Sequence, residues 1–424
     1  MAEQVSSLKT GIKYKDTSIG KIPVDWEVVR LDDICDIVGG STPSTTMKDF
    51  WGGDIPFVTP TDITKLRGRE ISDTPQKITS KGLASCGTRV LAVGTILLTS
   101  RATIGACAIN TIPMATNQGF ANLICNEKAY NWFIFYKMIA LQHELQKIGS
   151  GSTFKEVSKK SIKSLILPLP PLPEQKVIAE ILTTVDEAIE KTAHIIEKTK
   201  EVKKGLMQRL LTRGIGHQKF KKTEIGEIPE EWEVLTFKEI AKEFYNGGTP
   251  DTNNKQYWDG SIPWITGADF NNQKVARIRR YITEEGLKNS ASNIISKGNL
   301  LVVTRTGVGK LAIAPFDIAI SQDITGITFD SSKALPEYIY WYLNHKASTL
   351  VSMVQGTSIN GILRGDLETV RIFLPSITEQ KQIAEILSSI DNDIEKETSH
   401  KEQLESLKKG LMQVLLTGKV RVSV

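Results

Sequence analysis

Between Glu174 and Leu211 the chain has no proline and a single glycine, Gly205. Apolar or neutral residues fall at Ile178, Leu182, Val185, Ile189, Thr192, Ile196 and Thr199, then at Leu206 and Leu210. The steps alternate between four and three, which is a heptad seam and not the broader face of a globular helix. Ile383, Leu387, Ile390, Ile394, Leu404, Leu411 and Leu415 set out a second seam. Prolines precede both runs, and Glu174 and Glu379 fall in the first turns, where the helix dipole favours an anion. A helix of ~38 residues is ~57 Å long and would leave its seam wet alone. Two seams predict an antiparallel pair; the other arrangement folds each helix onto its own module. The remaining sequence alternates short β-branched and aromatic runs (IPFVTP, GTILLTS, NLLVVT) with Gly, Pro and Asn turns. This pattern predicts short strands in a mixed α/β module, with helices such as NWFIFYKMIALQHELQKI.

The two seams belong to a duplication. KKGLMQRLLT (Lys203–Thr212) and KKGLMQVLLT (Lys408–Thr417) differ only at Arg209 and Val414. IGKIPVDWEVVRLDDI aligns with IGEIPEEWEVLTFKEI, and PLPEQKVIAEIL with PSITEQKQIAEIL, at a near-constant offset of about 205 residues. The expected fold is therefore α/β: two tandem-duplicated modules, residues 1–168 and 214–374, separated by two long helices in residues 169–213 and 375–424. The helices are expected to pack as an antiparallel coiled coil with pseudo-twofold symmetry.

Composition narrows the chemistry. Lys and Arg number 53 against 48 Asp and Glu, a formal charge of +5 that permits a nucleic-acid partner without requiring one. Cys35, Cys86, Cys107 and Cys125 form no CxxC pair, which suits reduced thiols in a cytoplasmic protein. No apolar run approaches the ~18 residues that span a bilayer, and the N-terminal segment shows no signal-peptide core, so no membrane partner is expected. TRTGVGKL departs from a phosphate-binding loop at Thr304 and Leu311, and HELQK has Lys147 where a second metal-binding histidine would stand. Glu-x-Lys at Glu174 and Glu379 opens a helix with no acidic strand before it. No cofactor, metal or catalytic residue is expected.

The segment SIKSLILPLPPLPEQKVIAEIL…KKGLMQRLLT and its second copy resemble the specificity subunit of Type I restriction–modification systems. The resemblance runs from about Ile19 to Thr417 and includes IGEIPEEWEV, GGTP, SRATIG and TRTGVG. It implies that each module is a target-recognition domain reading half of a split DNA site. It also implies that the helices act as spacer and as docking surface for two modification (methyltransferase) subunits. Methylation with S-adenosylmethionine, and translocation and cleavage, would belong to the modification and restriction subunits. On this resemblance a partner face is expected at Glu174, Gln175, Leu206, Met207, Leu210 and Leu211, and again at Glu379, Gln380, Leu411, Met412, Leu415 and Leu416.

If the modules read different half-sites, specificity lies where the copies diverge, and shared residues serve fold, phosphate contact or partners. Divergent segments rich in Lys, Arg, Asn and Gln supply the side chains that bond base edges. In the first module these are Thr45, Lys48, Lys65, Arg67 and Arg69, with Ser152, Thr153 and Lys155 in the approach to the helix. In the second they are Asn253, Asn254, Lys255, Asn271, Asn272, Gln273, Lys274, Arg277, Arg279 and Arg280, with Thr357 and Ser358. Arg101 and Arg305 are shared and suit either a phosphate or an internal carboxylate. The rival readings are a scaffold assembled through the coiled coil without DNA readout, and a nuclease or methyltransferase fused into one chain, which the missing motifs oppose.

Overall fold

A computed structural model describes residues 12–149, 156–271, 273–352 and 361–423. The chain folds as two compact units, Met1–Ile195 with Thr398–Val424, and Ile196–Glu397. Two long helices, Leu172–Arg213 and Ile377–Leu415, each begin in one unit and end in the other. Each unit thus holds one module, the start of one long helix and the end of the other. Every seam position named above is buried or half-buried along both helices, as their four-and-three spacing requires. No described helix is long and apolar enough to cross a membrane.

In the first unit a five-stranded sheet runs in the order Cys35–Gly39, Phe120–Cys125, Ile96–Thr99, Cys107–Asn110, Glu70–Ile71. A second, three-stranded sheet is built on Trp51–Val58. The second unit repeats this with Ala241–Asn246, Ile324–Phe329, Leu300–Val303 and Leu311–Ile313, and a sheet built on Trp258–Ile265. Both long strands carry a bulge at the same place, where Trp51 and Ile55 both face Ile78 and Trp258 and Ile262 both face Ile282. The shared glycine in each bulge has a steric cause: a Cβ on Gly53 or Gly260 would stand 2.5 or 2.4 Å from the carbonyl oxygen of Ile78 or Ile282.

Each long helix is anchored at its first turn by a carboxylate, buried at Glu174 and half-buried at Glu379. The Trp26 indole donates to Glu174 at 3.1 Å, and Arg421 grips the same carboxylate at 2.6 and 2.7 Å while also pairing with Asp25. In the second unit the Trp232 indole donates to Glu379 at 3.0 Å, and His217 and the Ile215 amide occupy the place of Arg421. The neighbouring glutamine closes the preceding loop. Gln175 accepts from the Tyr130 amide and donates to the carbonyls of Lys128 and Pro170; Gln380 does the same with Leu335, Lys333 and Pro375.

The repeated decamer is explained largely by the same logic. Lys408 pairs with Asp186 at 2.6 Å and lies over the Tyr136 ring; Lys203 pairs with Asp391 and lies over the Trp341 ring. The end of one long helix thus locks to the beginning of the other within each unit, which makes the pair antiparallel. Leu415 and Leu416 enter the first core beside Ile178 and Leu182, and Leu210 and Leu211 enter the second beside Ile383 and Leu387.

Two outcomes follow. Replacing Glu174 by Gln removes the charge facing Arg421, whose side chain is 7 % exposed. Because Asp25 still pairs with Arg421, the expected loss is roughly 2–3 kcal/mol in denaturant unfolding of the full chain. Lys137 is buried and donates to the Leu416 carbonyl at 2.8 Å. Burial lowers its ammonium from the ordinary 10.5 to about 8. Between those values the unfolded chain holds a proton that the folded chain has released, so stability rises with pH there, by roughly 3 kcal/mol in total. Urea midpoints compared from pH 7 to 10.5 should show this rise in the wild type and its loss in Lys137→Met.

Candidate nucleic-acid interface

The strand Trp51–Val58 is flanked by two of the divergent segments. The loop before it exposes Thr45 and Lys48. After it, Thr59 caps the helix Pro60–Lys65 through Asp62, and Lys65 and Arg67 follow into solvent. The second unit keeps the cap, Thr266 with Asp269, and extends it. There Asp269 is 2 % exposed, and burial opposes its ionisation. The Arg279 guanidinium and the Thr266 amide and hydroxyl overcome this and hold its carboxyl below the usual carboxylate range. Arg279 also donates to the Thr266 hydroxyl at 2.8 Å.

The structure sorts the candidate DNA-contacting residues by whether their polar groups are free. Thr45, Lys48, Lys65, Arg67, Lys255, Asn271 and Arg277 are exposed; Asn253 is exposed too, but its amide donates to the Asp251 carboxylate at 3.2 Å. Asn254 is half-buried and caps a short 3-10 turn by accepting from the Gln256 amide. Arg101 is exposed but pairs with Glu156 at 2.9 Å. Arg305 is exposed on the equivalent turn, bridged by its backbone to Gly361. Ser152, Thr153, Lys155, Asn272, Thr357 and Ser358 lie outside the described residues.

Five more of the expected DNA-contacting residues have partners within the chain. Arg69 faces inward: its guanidinium meets Glu190, the Tyr136 hydroxyl, the Thr183 carbonyl and the face of Trp132, leaving 10 % of the side chain exposed. Gln273 spends its carbonyl oxygen on the Leu311 amide, and Arg279 is clamped on Asp269. Lys274 reaches Glu395 at 2.7 Å, and Arg280 lies over the Trp258 ring. A carboxylate or a ring beside a cation gives it a partner within the chain, which a count of Lys and Arg cannot reveal. The residues of the expected partner face are likewise engaged within the chain. Glu174, Gln175, Gln380, Leu210, Leu211, Leu415 and Leu416 are buried, and Glu379 nearly so, all with partners in their own unit. Leu206, Met207, Leu411 and Met412 are half-buried against the cores.

Sequence reasoning also passed over a cleft. Arg101, Gln118, Ser158 and Lys159 line an opening of about 470 Å³ beside Gly39 and Gly40. Gln118 accepts from Thr42, as Gln322 does from Thr249 in the second unit. The available signal was the sharing of Gln118 and Gln322 next to a shared Arg and a Gly-Gly turn.

The family model for the Type I restriction modification DNA specificity domain matches residues 23–201 and again 229–406. The chain belongs to this family. Each match covers one module and most of the long helix that follows it. Among members of the family, a putative type I restriction enzyme specificity subunit, MjaX, of Methanocaldococcus jannaschii is 33 % identical over 96 % of this chain and 97 % of its own length. The MjaIX specificity subunit of the same organism is 30 % identical over 97 % of both. A crystal structure of the S subunit of a Type I restriction–modification system from M. genitalium matches with a TM-score of 0.61 at 13 % identity, covering 96 % of this chain and 97 % of that one. That likeness bears on the fold.

Arg69 and Arg279 should therefore behave as structural residues. Alanine at either is expected to cost roughly 1–3 kcal/mol of stability by leaving buried or half-buried acceptors without their donor. Thermal unfolding of the full chain checks this.

Proposed function

We propose that this chain is the DNA-reading, non-catalytic subunit of a Type I restriction–modification complex. It binds double-stranded DNA at a split, asymmetric site, one half-site per module, and brings two modification subunits and the restriction subunits to it. The observation that carries this reading is where the copies agree and differ. The interior (Trp26 and Trp232, Glu174 and Glu379, Gln175 and Gln380) is held constant, while the exposed cationic and amide-bearing segments around Thr45–Arg67 and Asn253–Arg277 diverge. Two like scaffolds with unlike surfaces suit two unlike half-sites. The decisive experiment is reconstitution with the modification subunits. Methylation should then fall on one split sequence and be absent when this chain is omitted, and the chain alone should methylate nothing. Exchanging Ile19–Pro168 for the matching module of a relative should change one half-site and leave the other.

Arg277 is the exposed cation best suited to a phosphate. Arg277→Ala should weaken DNA binding by the assembled complex at all sequences and lower the log–log salt slope by roughly 0.9. An unchanged slope places this arginine off the DNA.

The partner face is best sought on what the fold leaves unexplained in the decamer. Lys204, Gly205 and Gln208, and their copies Lys409, Gly410 and Gln413, are identical yet exposed. A Cβ on Gly205 or Gly410 would meet nothing within 4 Å in this chain. A glycine inside a helix costs roughly 0.5–1 kcal/mol relative to alanine, so retaining both suits a partner backbone that approaches closely there. The double variant Gly205→Ala, Gly410→Ala should raise the thermal midpoint of the isolated chain and weaken its assembly with the modification subunits. Unimpaired assembly measured by calorimetry would remove this face from the docking surface.

A further inference from the structure

All the cysteines of the chain lie in the first unit, and two of them touch. The sulfurs of Cys35 and Cys125 stand 3.4 Å apart, although 90 positions separate them in the chain. Cys35 opens the strand Cys35–Gly39 at the edge of the five-stranded sheet, and Cys125 closes its neighbour, Phe120–Cys125. The two residues are directly opposite in the antiparallel register. The Asn126 amide donates to the Ile34 carbonyl at 3.0 Å, so the next pair along, Cys125 with Cys35, is a non-hydrogen-bonded one. At such pairs the Cα atoms approach to about 4.5 Å, within the range of roughly 4.4–6.8 Å that a disulfide bridges. A sulfur–sulfur bond is about 2.04 Å long, so the two sulfurs need to close by about 1.4 Å, which side-chain rotation supplies.

The fold does not require sulfur at this place. At the same register in the second unit stand Ala241 and Phe329. The remaining cysteines are engaged elsewhere: Cys107 pairs with Leu98 across its strands, and Cys86 reaches the carbonyls of Ser41 and Gly82. Cys125 is half-exposed and open to a small oxidant, whereas Cys35 is 3 % exposed. Its contact with Cys125, together with burial, pushes the Cys35 thiol well up, so Cys125 is the sulfur that reacts first.

We propose that Cys35 and Cys125 are a redox-reversible disulfide site, a staple that a peroxide closes in the first unit and that the second unit lacks. The Cys125 thiolate attacks one peroxide oxygen, the O–O bond breaks, and a sulfenic acid and one water result. The Cys35 sulfur then attacks the Cys125 sulfur, the S–O bond breaks, and the departing hydroxide takes the Cys35 proton as a second water. Two thiols are oxidised and one peroxide is reduced; a thiol reductant reverses the bond. The loop that is closed contains the divergent segment Thr45–Arg67, so oxidation restricts the unfolded state of the first unit alone. Nothing in this chemistry depends on the function proposed above.

The test uses the full chain, reduced, freed of reductant and exposed to a few equivalents of hydrogen peroxide at mildly alkaline pH. Free thiols are then alkylated in denaturant and the chain is digested. A linked pair of peptides carrying Cys35 and Cys125, released by a phosphine, is expected from the wild type. It should be absent from Cys35→Ala, which places in the first unit the residue that the second unit has at this register, and from Cys125→Ser, at a half-exposed position. Oxidised wild type should also be cut by thermolysin within the first unit at least about tenfold more slowly than its reduced form. Cys35→Ala treated alike should show no such change, and Cys125→Ser serves the same comparison if Cys35→Ala folds poorly. Natively folded chain that peroxide leaves without this link, or that links either residue to Cys86 or Cys107, overturns the proposal. A link that forms but leaves thermolysin cleavage of the first unit unchanged overturns the staple.

Discussion

A carboxylate shielded from solvent in the first turn of each long helix sets where that helix begins and how it leaves its module. Glu174 lies between the Trp26 indole and the Arg421 guanidinium; Glu379 lies between the Trp232 indole and His217. Each is desolvated and therefore needs its donors in place. Those donors come from two separated stretches, the strand-turn entry to the module and the segment that follows the other helix, and meet on a carboxylate supplied by a third, the helix itself. Satisfying one buried charge gathers the unit. The adjacent glutamine then fixes the loop before the helix, and the lysine–aspartate pair further along fixes the register of the second helix against the first.

Much of this was legible in the sequence. The seam, the duplication and the antiparallel pairing followed from four-and-three spacing and from two copies of one decamer. The bulge glycines and the helix-opening Glu-Gln pairs were visible as repeats, though their purpose was not. Glu174 and Gln175 sit in a polar stretch that reads as surface, and only the fold shows the indole and the backbone groups that require them inside. The leucine pairs Leu210–Leu211 and Leu415–Leu416 read as excess apolar surface for the same reason. Leu210–Leu211 enter the core of the module that follows them, beginning at Ile228 and Trp232, and Leu415–Leu416 enter the core of the first module, far behind them in the chain; neither is within the reach of local periodicity.

The candidate DNA surface was legible only as composition. Divergence between the copies picked out segments, but within one it could not separate Arg277, which faces solvent, from Arg279, two positions on, which holds Asp269. Whether a cation is free is decided by where a carboxylate or an aromatic face lies in space. Arg69 makes the point most sharply. Its five partners are spread from Trp132 to Glu190, and none is near it in sequence.

The arrangement of Trp26, Glu174 and Arg421 carries a consequence for how the molecule is made on the ribosome. The second unit uses the continuous stretch Ile196–Glu397, whereas the first needs Thr398–Val424 as well. Synthesis therefore delivers all of the second unit before it delivers the strand of chain that closes the first. Until then the apolar stripe of Ile178 and Leu182 lacks Leu415 and Leu416, and Glu174 lacks its guanidinium. Bringing Arg421 back to Glu174 closes a separation of 247 positions, which costs entropy that shorter loops avoid. The module made first is completed last, and during elongation it is the half of the nascent chain with most reason to engage a chaperone.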